Sequence, residues 1–143
     1  MDKTLRIGKE VIIFANRIKR MISKEASQYG ATGIQSRILG FINENSGKRD
    51  IFQKDIEEEF DIRRSSVTSV LQLMEKNGLI KRESVLEDAR LKKIVITEKG
   101  LEIDRKVYEF INKFEESLNE ELSEEEANTL ISLIDRLSRK IAD

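Results

Sequence analysis

The hydrophobic period of this chain switches from helical to strand-like and back again, and that switch restricts the fold more than any other feature. From Ile7 to Met74 apolar residues recur every three or four positions, the spacing of one helix face. At Leu79–Arg82 and Lys93–Ile96 the runs are short and β-like, with Ile94 and Ile96 on one face, and from Val107 onward the helical spacing returns. A mainly α protein with one small β-hairpin inside it is expected. Proline is absent from all 143 residues, so nothing breaks the hydrogen-bond ladder of the helices.

Residues 5–28 carry Ile7, Val11, Phe14, Ile18, Met21 and Ile22 at helical spacing, and Tyr29-Gly30 ends that run. Thr32 and Gln35 have the spacing of a capping box and open a helix through Ile34, Ile38, Leu39 and Ile42. Residues 43–50 form a polar loop. A short helix follows, with Asp50 and Gln53 spaced as its cap pair and Ile56 and Phe60 facing inward. After Asp61-Ile62 the next helix buries Val67, Val70, Leu71 and Met74, and Gly78 stands where a left-handed stop belongs. The stretch from Glu83 to Lys92 joins the two strand runs. Helix resumes near Thr97 and runs to Leu122 through Val107, Ile111, Phe114 and Leu118. Ser123 with Glu126 makes a second capping box, ahead of Ala127, Leu130, Ile131, Ile134, Leu137 and Ile141.

Cysteine and histidine are both absent, which removes thiol and imidazole nucleophiles, Cys/His zinc sites and disulfides. No enzyme, no metal and no cofactor is expected. The Glu57-Glu58-Glu59 and Glu124-Glu125-Glu126 runs do not change this, because successive helical residues point about 100° apart and cannot converge on one ion. The apolar run Val11–Ala15 is far too short for a membrane span, and the first residues lack a signal-peptide core, so a soluble cytoplasmic protein is expected. Net charge is −1, but its distribution is polarised. Residues 61–93 carry eight Lys/Arg against five Asp/Glu, whereas residues 101–143 carry six against twelve. For phosphate binding such polarity matters more than the total.

Two short helices, a tight turn and a hairpin make a winged helix-turn-helix over about residues 50–97. In that motif the second helix enters the major groove with its N-terminal residues at the base edges. Here it begins Arg63-Arg64-Ser65-Ser66-Val67-Thr68-Ser69, and its solvent face adds Gln72. Small hydroxyls let the backbone approach the bases, and arginine offers guanine a two-pronged match. A face built for solubility alone would use Glu and Lys, which have higher helix propensity.

From Gln53 to Gly100 the chain resembles the MarR family of winged-helix transcriptional regulators. QKDIEEEFDIRRSSVTSVLQLMEKNGLIKR looks like the family's helix-turn-helix, and DARLKKIVITEKG resembles its wing signature. The flanking helices fit as well, so the resemblance covers the chain as a single domain, residues 1–143. Phe52 stands where the family usually has a capping Thr, and a single Asp-x-Arg replaces the frequent tandem.

The resemblance implies a set of roles. Arg63, Arg64, Ser65, Ser66, Thr68, Ser69 and Gln72 match groove-facing positions. Asp88 and Arg90 match the wing pair, in which the acid orients the arginine toward the minor groove. Lys81, Arg82, Lys92 and Lys93 are expected at phosphates. Helices over about 5–28 and 101–141 are expected to pair into a two-fold dimer, since a small helix-turn-helix cannot cover their stripes. A homodimeric regulator of a palindromic double-stranded operator follows, most simply a repressor released by a small aromatic or amphipathic effector. Phe14, Ile18, Tyr29, Phe41 and Tyr108 are the expected lining of the effector site. A winged-helix protein-interaction module with no operator of its own is the alternative; it would have no need of Arg64 and Arg90.

Overall fold

A computed structural model describes residues 4–142. Its elements are α1 (Ile7–Ser27), α2 (Gly33–Asn45), α3 (Gln53–Phe60), α4 (Arg64–Lys76), β1 (Ile80–Ser84), β2 (Lys92–Ile96), α5 (Glu98–Glu120) and α6 (Glu124–Ile141). This is the mainly helical architecture with one hairpin that the period switch predicts. The backbone divides into two compact units, one through Tyr108 and one from Glu109 onward.

The first unit is built on α2. Its Ile38 and Leu39 are completely buried, and so are Ile56 of α3, Leu71 and Met74 of α4, and Leu79. Thr32 opens α2 with the expected box: its hydroxyl accepts from the Gln35 N–H at 3.2 Å, and the Gln35 side chain accepts from the Thr32 N–H at 3.0 Å. The strands are antiparallel, pairing Ile80 with Ile96 and Arg82 with Ile94. Their alternation drives Ile80 and Ile94 into the core, with β1 packed against α4 and β2 against α2. A third piece of chain joins the hairpin. The Ile94 N–H donates to the Ile51 carbonyl at 2.7 Å, and Ile51 is buried. A lone isoleucine after a polar loop carries no periodicity, so the sequence offered no sign of it.

The start of α3 corrects one expectation. Asp50 does not cap it. The helix begins at Gln53, which makes Phe52 the cap residue, and Asp50 lies two positions too early. Asp55 does the work instead, its carboxylate reaching back to accept from the Phe52 N–H at 2.8 Å. The Asp50 carboxylate lies 3.9 Å from the Lys93 ammonium.

α4 stops as its glycine predicts. Gly78 has φ +74°, the Leu79 N–H donates back to Met74 O at 2.9 Å, and the Gly78 N–H donates to Glu75 O at 3.1 Å. Leu79 and Met74 are both fully buried, giving the hydrophobic contact that accompanies this stop.

The second unit holds the end of α5 and all of α6. Ser123 caps α6 as expected, accepting from the Glu126 N–H at 3.1 Å while Glu126 accepts from the Ser123 N–H at 2.9 Å. No residue of α6 is buried, and Leu130, Ile131, Ile134, Leu137 and Ile141 lie exposed at helical spacing. In the first unit, Ile7, Val11, Phe14 and Met21 form a similar exposed row on α1. Among the described residues no helix is long and apolar enough to cross a membrane.

One buried charge stands out. Asp104 of α5 is 5% exposed and accepts from the Asn43 side-chain amide at 2.7 Å. Burial pushes its pKa above the ordinary carboxylate value, against the opposing effect of that hydrogen bond, and Glu44 adds a smaller push upward. The folded chain therefore holds this proton more tightly than the unfolded chain does. Charged Asp104 costs stability at neutral pH, and the cost is relieved as pH falls through its folded pKa toward the unfolded value. Asp104→Asn should melt a few degrees higher than the parent at pH 7, with the gap closing as pH drops to 4. Thermal denaturation across that range checks it, and a gap that widens toward acid contradicts it.

Candidate nucleic-acid interface

α3 and α4 meet across a tight turn in which Asp61 adopts a left-handed conformation, φ +49°. The Ile62 N–H closes that turn onto Glu57 O at 3.1 Å. A side-chain bracket then sets one helix against the other. Gln53 Nε2 donates to Thr68 Oγ1 at 2.8 Å, and Thr68 Oγ1 donates to Arg64 O at 2.9 Å. Thr68 is half-buried, and its proton is engaged within the helix pair. Arg63, the N-cap residue of α4, and Arg64, Ser65, Ser66, Ser69 and Gln72 on the helix itself are exposed. Of these, the Ser69 hydroxyl donates back to Ser65 O at 3.2 Å. The result is a low, polar surface flanked by two guanidiniums at the N-terminal end of the helix.

The wing presents a third guanidinium. The Arg90 N–H donates to Asp88 Oδ1 at 2.9 Å, and its Nε and one Nη reach the two carboxylate oxygens at 3.2 Å each. Arg90 holds the Asp88 carboxyl below its ordinary pKa, chiefly through the side-chain bond and then through the backbone one. The arginine itself remains 91% exposed. Asp88 thus fixes the fork of a side chain that still faces solvent.

Arg64 and Arg90 share a cleft of about 480 Å³, together with Gln53, Lys54, Arg82 and Lys92. Five cations against one carboxylate, Glu57, around this concavity raise a net positive potential that favours phosphate. The four basic residues expected at phosphates divide between two faces. Arg82 and Lys92 line the cleft, Arg82 lying 3.7 Å from Glu75 and Lys92 donating to the Ser84 hydroxyl. Lys81 and Lys93 fall one position out of step with them and so point to the opposite face of the hairpin. Lys93 there faces Asp50. Sequence reasoning missed Lys54. Its signal was a cation in the first turn of a helix, where the macrodipole disfavours positive charge.

The residues expected around an effector do not gather in one place. Phe41 is buried, its ring edge-on to Phe60 at 5.9 Å with the Arg49 guanidinium 5.8 Å away. It is a core residue. Tyr29 donates to Glu25 at 3.4 Å and carries Lys106 over its ring at 5.3 Å. Phe14 and Ile18 lie on α1, the first exposed and the second half-buried. Tyr108 lines a cavity of about 400 Å³ with Gly40, Asn43, Glu44, Leu101, Asp104 and Arg105. A second cavity, of about 360 Å³, lies between Lys19, Ile22 and Ser23 of α1, Gly33, Ile34 and Arg37 of α2, and Ile62.

Comparison with known proteins places this geometry. Residues 29–91 match the model of the MarR family. A Thauera aromatica protein named as a transcriptional regulatory protein for the hcr operon is 25% identical over 108 residues. That match covers 76% of this chain and 65% of the relative, so the chain spans less than two thirds of the relative's length. Among solved structures, the transcription regulator MarR from Oenococcus oeni PSU-1 superposes with a TM-score of 0.83 at 26% identity, covering 93% of this chain and 98% of that one. The S. aureus MepR–DNA complex superposes with a TM-score of 0.87 at 20% identity, covering 97% and 100%. The fold is that of the winged-helix transcription regulators.

The Asp88–Arg90 fork can be tested by titration. Asp88 should titrate below the ordinary range in the parent chain and move back up in Arg90→Ala, as read from its carboxyl carbon shift by NMR. An Asp88 pKa unchanged by Arg90→Ala would mean that the arginine does not engage it in solution.

Proposed function

We propose that this chain is a winged helix-turn-helix regulator of the MarR family and acts as a homodimeric transcriptional regulator that binds a specific double-stranded DNA site. The observation that carries this is the convergence of exposed Arg64 and Arg90 on one basic cleft, from two separate elements. Arg64 stands in the first turn of α4, where a groove-entering helix meets base edges. Arg90 extends from the wing, placed for the neighbouring minor groove, whose negative potential deepens where it narrows. Lys54, Arg82 and Lys92 supply phosphate contacts that set register rather than sequence.

The exposed apolar rows on α1 and on α6 support assembly as a dimer, because a water-facing row of that length on an amphipathic helix calls for a partner. A two-fold dimer presents two α4 helices to a palindromic operator, with successive major grooves roughly 34–36 Å apart. Regulation follows from geometry. A small amphipathic effector that favours another separation of the two helices draws the population away from DNA, which makes the protein a repressor released by its ligand. The cavity beside Tyr108 is within the size range of small-molecule sites. The protein's work is binding, carried out in the cytoplasm, with no catalytic step.

The two arginines separate in their effects. Arg64→Ala should cost about 1–3 kcal/mol on the specific site and relax preference at one base pair per half-site. Arg90→Ala should weaken binding through A·T-rich flanks while leaving major-groove preference in place. Each loss should also flatten the salt dependence by roughly one unit per arginine removed from each subunit. Titrations against the operator, a flank-swapped operator and random duplex at several salt concentrations read all three. Equal losses on every duplex would reduce both arginines to phosphate anchors.

A further inference from the structure

Just past the end of α4, three consecutive backbone carbonyls accept from Thr97, the residue before α5, and from Lys99 in its first turn. Lys99 Nζ donates to Asn77 O at 3.0 Å, Thr97 Oγ1 donates to Gly78 O at 2.6 Å, and the Thr97 N–H donates to Leu79 O at 3.1 Å. Thr97 Oγ1 in turn accepts from the Gly100 N–H at 3.1 Å, so one hydroxyl bridges the two helix ends. Gly100 seals the joint. A Cβ built on it would stand 2.3 Å from the Leu79 carbonyl oxygen, with side-chain carbons of Ile96 and Leu39 at 3.0 and 3.1 Å. A backbone carbonyl cannot swing aside as a flexible side chain can, so this approach requires glycine.

The joint goes beyond what ending a helix requires. The turn at Gly78 already satisfies Met74 and Glu75 by local bonds. Of the next three carbonyls, those of Asn77 and Gly78 lie at an exposed edge where water could serve them, and a bond made in competition with water adds little stability, whereas that of Leu79 belongs to a fully buried residue and needs its partner. Three bonds and a close backbone contact at one point tie the turn that ends α4 to the start of α5. In sequence the two helices are separated by the whole hairpin, yet the turn that ends α4 is bonded directly to the start of α5. From this joint α5 runs unbroken to Glu120.

We infer that Thr97, Lys99 and Gly100 are positioning residues that fix the orientation of α4 against α5, and so set the separation at which the two groove helices of a dimer meet DNA. This rests on the DNA-binding function proposed above. A displacement of α5 then arrives at α4 undiminished instead of being absorbed in a loop.

The experiment has two arms, so that the joint and the DNA-binding function can fail separately. In the first, Ser69→Cys and Glu102→Cys carry spin labels, without background because the chain has no cysteine, and pulsed electron resonance reads the α4–α5 distance distribution without DNA. Thr97→Val should broaden or shift that distribution, while Thr97→Ser, which keeps the hydroxyl, should preserve it. In the second, label-free proteins are titrated against the operator and a version with its half-sites one base pair further apart. Thr97→Val should lower the affinity ratio between the two by about 5-fold or more, the low end of a coupling between sites. Thr97→Ser should keep the ratio. Lys99→Met, an exposed change that leaves the fold intact, should move it in the same direction as Thr97→Val.

A Thr97→Val protein that melts lower but keeps both the distance distribution and the spacing ratio would show a merely structural bond and overturn the inference. A broadened distribution with an unchanged ratio overturns it too. If the parent chain binds no duplex, the DNA-binding function falls, and an unchanged distribution in the first arm still overturns the joint.

Discussion

The stop of α4 at Gly78 is the constraint on which the rest of the first unit depends. Its left-handed turn sends the chain back under the helix, buries Leu79 against Met74, and launches β1 directly into the core. Without that reversal the hairpin could not bury Ile80 and Ile94 in the core, and Arg90 would have no fixed place beside Arg64. The same turn leaves the carbonyls of residues 77–79 facing the start of α5. A single positive φ thus decides both where the wing goes and what holds the groove helix.

Charge is sorted by the same geometry. Strand alternation sends Arg82 and Lys92 toward the cleft and Lys81 and Lys93 away from it, although all four look alike in sequence. Two acids stand beside cations of the cleft, and Asp88 is the one hydrogen-bonded to its partner. Asp88 holds the Arg90 fork, while Glu75 lies within 3.7 Å of Arg82. The Asp88–Arg90 pair, with its arginine exposed, adds little to stability, and its value is direction.

Much of this was legible beforehand because it is local. Capping boxes at Thr32 and Ser123, the stop at Gly78 and the change of period at the hairpin are each written within a few residues. What depends on distant contacts was not. Asp50 could be paired with Gln53 by spacing, but the true start of α3 left Asp55 to reach Phe52. Thr68 sits among the groove-facing hydroxyls in sequence, yet Gln53, fifteen residues earlier, half-covers it and binds its oxygen. Phe41 is an aromatic on a helix, a plausible ligand contact by type alone, and its contact with Phe60 makes it core. Residue type announces chemistry, whereas partner and face are fixed only once the chain has closed on itself.

The central claim is that two copies of one basic cleft meet DNA together, and a hydroxyl-radical footprint on a site selected from random duplex tests it most directly. Two protected patches should appear on one face of the duplex, separated by about 10–10.5 base pairs or a multiple of it, each with an adjoining minor-groove protection where the wing lies. That minor-groove protection should vanish with Arg90→Ala. A single patch, or protection spread evenly along the duplex, would contradict the account.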